Sequence, residues 1–503
     1  MKTQPTEIVL NSEGVAGGAV SRRHAVEDVL SKAREAGFEP TIGPIALTLL
    51  GVGAIVGAGI FVLTGVAAAQ FAGPAIVLSF LLAAVGCAFS GLCYAEFGSM
   101  MPASGSAYSY TSATLGEFIG WVIGWNLLLE YTFAGAYVAV GWSGYFQGAA
   151  QMFGWTLPHA LTTAPFGLVD GKLGLTGGLI NLPAGAIVVL LTLIASRGLS
   201  VSTTINAFIV ALKVGVLLVF VFLGAQHINP QNLTPFVPPN AGEFGHFGWS
   251  GVLRGAAVVF TAYLGFDGIS TVAQEVKNPQ RSMPIGILGS LIICSLLYVA
   301  VSFVLTGLAP YQTLDVGNPL SVALRGATGG LDWLAPVIDV AAVAGLASII
   351  LLTLIGQPRV VHAMARDGLL PSFLGRMHAR FKTPFNATLV AGVVITLLGS
   401  LFPIDILAQL VSLGALSVFA TVCIAVLVLR STRPDLKRPF RVPAVAIVAP
   451  VGALLCLYLL TGLPTQSWTL YAVWASIGLL IYLGFGRRSA ARVRAEAGDS
   501  KKM

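Results

Sequence analysis

The stretch GVGAIVGAGIFVLTG at 51–65 sets four glycines, Gly51, Gly53, Gly57 and Gly59, inside an apolar run long enough to cross a membrane. Its counterpart is VVFTAYLGFDGIS at 258–270, with Gly265 and Gly268. Glycine weakens a helix interior, and an unwound segment frees N–H and C=O groups that lipid cannot satisfy. Such a break persists at membrane depth only where it lines a cavity or binds something. The plainer alternative is that these glycines serve close helix packing.

Working outward, apolar runs fall at about 42–68, 71–99, 116–150, 180–196, 203–225, 250–273, 284–308, 334–362, 386–402, 406–430, 443–463 and 468–486. Each is long enough for one span at about 1.5 Å per residue, with tilt in the longer ones. The sequence therefore predicts an all-α membrane protein of twelve spans. Spans 1 and 6, the two with glycine interruptions, open two five-span halves, at about 42–225 and 250–430. Paired interruptions at corresponding positions are the sequence mark of a transporter built from inverted repeats. Spans 11 and 12, at about 443–486, lie outside the repeat.

Composition agrees. Of 503 residues, 56% are hydrophobic and only 10% charged, which excludes an ordinary soluble enzyme and a disordered chain. Mean hydropathy is +0.85. The net charge of +7 does not imply nucleic acid, because the basic residues fall between apolar runs. With the N-terminus inside, the inner segments hold 24 of the 28 Lys and Arg residues; the outer ones hold Lys172, Arg254 and Arg325, and Lys213 lies within a span. The positive-inside rule then puts both termini, 1–41 and 487–503, in the cytoplasm.

Residues 1–41 carry no signal-peptide core, and 21–37 read equally as an amphipathic helix on the anionic leaflet or as a solvated tail. The outer connections at 151–179, 226–249 and 309–333 read as loops rich in Pro, Gly, Asn and Thr, with room for short surface helices. The five cysteines, Cys87, Cys93, Cys294, Cys423 and Cys456, show neither metal-ligand spacing nor a disulfide framework. The chain carries no phosphate-binding loop, nucleophile elbow or carboxylate metal set. No cofactor, metal or catalytic residue is expected.

Charges within spans are the remaining signal. Lys213, in NAFIVALKVGVLLVFV, has apolar sequence on both sides. At mid-span it costs at least about 2.5–3.5 kcal/mol on insertion scales, and apolar surroundings oppose its charged form. It is a candidate proton carrier or a fixed cation holding helices together. Glu130, in WNLLLEYTFAGAY, could bind a cationic side chain, pass protons or pair with another helix. Asp267 follows the second break and reads first as a helix cap, second as a substrate contact. Glu96 and Asp339 lie near span ends and read as interfacial.

A broken helix offers free carbonyls at the end of its first half and free N–H groups at the start of its second. The carbonyls suit an ammonium and the N–H groups a carboxylate, so a zwitterionic amino acid fits without charged side chains.

At GVGAIVGAGIFVLTG (51–65), FTAYLGFDGISTVAQEVKNPQRSMP (260–284) and GQPRVVHAMARDGLLP (356–371) the chain resembles the amino acid–polyamine–organocation transporters, in particular the cationic amino acid transporter group with its bacterial members. The resemblance covers about 42–486. It implies a five-plus-five inverted-repeat fold and a substrate site between spans 1, 3, 6 and 8. By position, Ile55, Gly57, Ala58 and Gly59 in span 1, and Phe260, Thr261, Ala262 and Leu264 in span 6, would line it. Lys213 matches a span 5 lysine that stands where sodium sits in sodium-coupled relatives, and Glu130 an acidic span 3 position near the site. Ser348 and Thr353 of span 8 would face the pocket and set selectivity. One departure is Thr261, where relatives often carry an aromatic that covers the substrate.

The expected function is a cytoplasmic-membrane L-amino acid permease, proton-coupled by alternating access. An exchanger of amino acids or polyamines without ion coupling, and a non-transporting sensor, are the alternatives. Neutral against cationic substrate, and oligomeric state, stay open at the level of sequence.

Overall fold

The computed structural model describes residues 41–101, 105–169, 172–198, 203–327, 330–381 and 383–500. The readings of the segment before residue 41, including 21–37, lie outside the described residues. Among the described residues seven helices are long and apolar enough to cross a membrane, and four shorter apolar helices accompany them.

The interrupted run starts as α1 (Pro44–Ile55) and resumes at Gly59 in mixed π and α turns that reach Ala72. Gly73, at φ 59° and followed by Pro74, turns the chain into α2 (Ile76–Met100). Then come α3 (Ser106–Leu115), α4 (Glu117–Gln151), α5 (Leu182–Ser196) and α6 (Thr203–Gly224). The second interrupted run is α7 (Gly248–Val259), a 3-10 turn Phe260–Tyr263, a break, and a 3-10 helix Gly268–Glu275. It is followed by α8 (Pro279–Leu308), α9 (Pro319–Gly326), α10 (Leu334–Arg366), α11 (Phe385–Leu401), α12 (Ile404–Thr432), α13 (Val445–Leu460) and α14 (Thr465–Ile481), whose helix runs on through α15 (Arg487–Ser500).

The expected runs thus correspond to helices, with shifts of a few residues at their ends. Three features differ from the sequence reading. The loop at 151–179 contains an antiparallel hairpin, β1 (Phe166–Val169) with β2 (Lys172–Leu175), Phe166 opposite Leu175. The helix α3 lies where no element is expected, and α15 turns part of the C-terminal tail helical.

The core gathers on α4, which packs most extensively against α10 and also against α12. The pairs α2–α8, α1–α8 and α2–α7 form a second packed group that carries both interruptions. Glycines permit the tightest approaches. A Cβ on Gly59 would lie 2.3 Å from the Ala262 Cα, so the two interrupted segments touch backbone to backbone.

Candidate functional site

Both interruptions are real breaks, and they face one another. In the first, Val56 leaves the helix at ψ 96°. Its N–H still bonds to Val52 O at 2.9 Å, and the next backbone bonds run from the Ile60 and Phe61 N–H groups to Gly57 O at 3.1 and 3.2 Å. The N–H groups of Gly57, Ala58 and Gly59 are therefore left without a backbone acceptor among the described residues. In the second, Leu264 is extended and Gly265 takes φ 116°, in the left-handed region that glycine alone adopts freely. A Cβ there would also lie 2.8 Å from the Ala54 carbonyl carbon.

Lys213, from α6, reaches the carbonyl end of α1. Its Nζ donates to Gly53 O at 2.6 Å and to Val56 O at 3.0 Å, and the side chain is fully buried. Its stem packs on α10 at Gly345, where a Cβ would meet Lys213 Cδ at 2.4 Å. Two carbonyls that the helix no longer uses are satisfied by an ammonium, and no carboxylate lies within ion-pair distance among the described residues. Tyr298 of α8 ties the breaks together. Its hydroxyl lies 2.7 Å from Ile55 O and 2.9 Å from Ala262 O, with one proton for the two carbonyls.

The expected lining residues divide. Ile55, Gly57, Ala58, Gly59 and Ala262 lie at the facing breaks and are buried. Leu264 forms the extended link of the second break. Phe260 turns away, its ring against Phe419 of α12 at 5.6 Å and beside Gly86 of α2. Thr261 spends its hydroxyl on Val258 O at 2.9 Å. Ser348 and Thr353 likewise bond back into α10, to Gly345 O at 2.7 Å and Ile349 O at 3.0 Å. On α10, Ile349 reaches the first break, where its Cδ1 would lie 2.6 Å from a Cβ on Gly57.

Glu130 stands on α4 with its carboxyl close to that of Asp267. Asp267 occupies the cap position of the 3-10 helix, but its carboxyl also reaches back across the break to the Gly265 N–H at 3.0 Å. The Glu130 Oε2, the Tyr131 hydroxyl and the Gln357 Oε1 are buried polar atoms with no hydrogen-bond partner among the described residues. Towards the face where Thr41 bonds to Glu275 O, polar links continue from helix to helix. Ser270 donates to Ser106 at 2.6 Å, Tyr108 to Asp367 at 2.6 Å, and Arg359 lies 3.6 Å from Glu275.

Glu96 and Asp339 are not interfacial in the sense expected from their positions near span ends; both are buried. Asp339 accepts from Ser321 at 2.5 Å and from Arg325 at 3.1 Å, which pins α9 onto α10. Glu96 binds Arg430 and the Val442 N–H. Sequence reasoning missed Tyr298; a lone phenol in the apolar run SLLYVAVS was its one signal.

Comparison with known proteins gives this geometry its context. The amino acid permease family model matches residues 42–485. The chain is 44% identical to the branched-chain amino acid permease BcaP of Bacillus subtilis, over 94% of this chain and 98% of that protein. It is 43% identical to the methylthioribose transporter of the same organism, over 93% of this chain and 98% of that protein. The vacuolar cationic amino acid transporter 4 of Arabidopsis thaliana is 36% identical over 78% of this chain and 64% of its own length. The chain belongs to the amino acid permease family of the amino acid–polyamine–organocation superfamily, and it is a membrane transporter rather than an enzyme.

Proposed function

We propose that the protein is a proton-coupled permease for neutral L-amino acids, with twelve spans in a five-plus-five inverted repeat and both termini cytoplasmic. The carrying observation is the first break, where Gly57, Ala58 and Gly59 offer N–H groups without backbone acceptors. These suit a substrate carboxylate. The substrate ammonium would take carbonyls of the second break. Ile349 beside Gly57 offers an apolar wall to the side chain. The permease named for branched-chain amino acids among the relatives supports the same reading.

In this reading Lys213 carries the coupling proton. Charged, it holds the carbonyl end of α1 through Gly53 and Val56. Neutral, it has one donor fewer and no charge to set against those dipoles, so α1 is released to move. Proton binding thereby favours one orientation of the interrupted helices, and substrate binding at the breaks closes them.

The test is uptake into proteoliposomes with and without an inward proton gradient, comparing leucine, arginine and methylthioribose. Gradient-driven leucine accumulation supports the proposal. Uptake seen only in exchange for internal substrate would replace it with the exchanger reading. Methylthioribose alone accumulating would overturn the substrate class.

A further inference from the structure

The cytoplasmic end of α8 borders a groove of about 610 Å³ with no part in the proposed transport site. Its walls are Pro284, Ile285, Leu288 and Gly289 of α8, facing Pro439 and Phe440 from the α12–α13 connection. Gln280 and Arg281 stand at its polar end. From the other end an apolar stripe continues up the same helix face. Ile285, Ile292 and Leu296 are 43, 61 and 70% exposed, at spacings of seven and four residues.

The facing wall is held from behind. The Arg438 guanidinium donates to Leu429 O, Arg433 O and Leu436 O, and the Val442 N–H donates to Glu96 at 2.7 Å. Pro439 and Phe440, between these anchors, are therefore fixed in place. Arg281 lines the groove, and Lys277, Lys437 and Arg441 lie within three residues of its lining in sequence; all four are exposed and make no ion pair among the described residues. Glu275 and Asp435, each two residues from one of these lysines in sequence, are already engaged, Glu275 with Arg359 and Asp435 with Arg433, and Glu96 is engaged with Arg430.

We infer that this groove binds an anionic phospholipid of the cytoplasmic leaflet, its phosphate on the Arg281 and Lys277 rim and one acyl chain between Leu288 and Phe440. Charge complementarity selects this occupant. An apolar slot that opens along a lipid-facing stripe and ends in unpaired basic groups matches one amphiphile with a negative head. A soluble anion would have no use for the slot, and a neutral lipid no use for the rim. The leaflet rests on the proposed orientation; the binding itself does not.

Native mass spectrometry of the full-length protein in detergent tests it, with phosphatidylglycerol and phosphatidylethanolamine of identical acyl chains in competition. Phosphatidylglycerol is expected to be retained preferentially and to resist displacement by a large excess of inorganic phosphate. The Lys277→Gln/Arg281→Gln variant should lose about fivefold in phosphatidylglycerol binding per charge removed. Leu288→Trp, which keeps every charge and fills the slot, should lose it as well. Arg376→Gln/Arg380→Gln removes the same charge from another loop and should leave binding unchanged. Equal retention of the two lipids, displacement by phosphate, or equal losses in both double variants would overturn the assignment. Because the measurement is made in detergent, its failure leaves the proposed orientation and transport activity standing, and an inverted orientation would leave the binding intact.

Discussion

Lys213 and Glu96 are both charged side chains buried in the helical domain, and they are satisfied in opposite ways. Glu96 is surrounded by cations. Arg430 donates to it twice, at 2.5 and 3.0 Å, the Arg438 Nε lies 3.5 Å away, and the Val442 N–H completes the shell. The Lys213 ammonium donates to the carbonyl dipoles of Gly53 and Val56, with no carboxylate in ion-pair distance among the described residues. A buried charge with fixed counter-charges must stay charged, because losing it strands its partners. A charge held by dipoles alone can be given up with nothing of opposite sign left behind. The first arrangement suits a structural clamp between α2 and α12. The second suits a group that gains and loses a proton during a cycle.

The largest effect should come from removing the second kind. Lys213→Ala is expected to reduce gradient-driven accumulation to the level of empty liposomes, while the protein still binds substrate. Lys213→Arg sharpens the comparison, because arginine stays charged throughout the accessible pH range. It should likewise abolish the response to the gradient. Accumulation at wild-type level by either variant, measured in the same proteoliposomes, would break the proposed role of Lys213.

Next in size is Tyr298→Phe. It removes the hydroxyl shared by Ile55 O and Ala262 O and leaves two buried carbonyls short of a donor. At about 1–3 kcal/mol for such a loss, transport should fall roughly tenfold. The fall should appear for every substrate and at every pH, since the phenol joins the two breaks and is not assigned a proton. A change confined to the pH profile would place Tyr298 in the coupling instead.

Glu96→Gln should act on stability and not on coupling. It leaves Arg430 and Arg438 without their carboxylate, but the Arg430 side chain is 24% exposed, so water recovers part of the loss. The expected cost is on the order of 1–3 kcal/mol, read as an apparent Tm several degrees lower in detergent. The pH dependence of uptake should be that of the wild type. A shifted pH profile would erase the distinction between the two buried charges.

How far this contrast was legible in the sequence depends on what each residue displays. Lys213 announces itself as a charge in an apolar run, and the glycines at 51–59 and 265–268 announce the breaks, because each is costly in lipid unless compensated. The compensating partner leaves no such mark. Nothing in SLLYVAVS says which carbonyls Tyr298 will meet, and nothing in CYAEFG says that Glu96 will be covered by a loop more than three hundred residues away. The helix α3 was invisible for a different reason. Its sequence, SAYSYTSATL, has no apolar period, yet Thr111 and Thr114 donate to Ala107 O and Tyr110 O and so hide their polarity within the helix. Thr261, Ser348 and Thr353 likewise direct their hydroxyls to carbonyls of their own helices, a bond that their sequence positions do not display.

The smallest expected effect tests the comparison from outside the membrane. One and three residues beyond the end of α12, Arg433 and Asp435 pair in the open at 3.1 Å. The Arg433 guanidinium beside it holds the Asp435 carboxyl below its ordinary range. A carboxylate lowered in this way adds stability only above its unfolded value, near 3.9, and loses it as the pH falls through the folded value. Between pH 5 and 8 its contribution is constant. Asp435→Asn should therefore leave the apparent Tm within about a degree of wild type, as exposed pairs do. It should also leave uptake unchanged across that range. The two carboxylates, Glu96 and Asp435, answer guanidiniums three residues apart, Arg430 in the last turn of α12 and Arg433 just beyond it. If the exposed pair proved as costly to remove as the buried one, burial would not be what makes Glu96 a clamp, and the contrast with Lys213 would have to rest on the number of counter-charges alone.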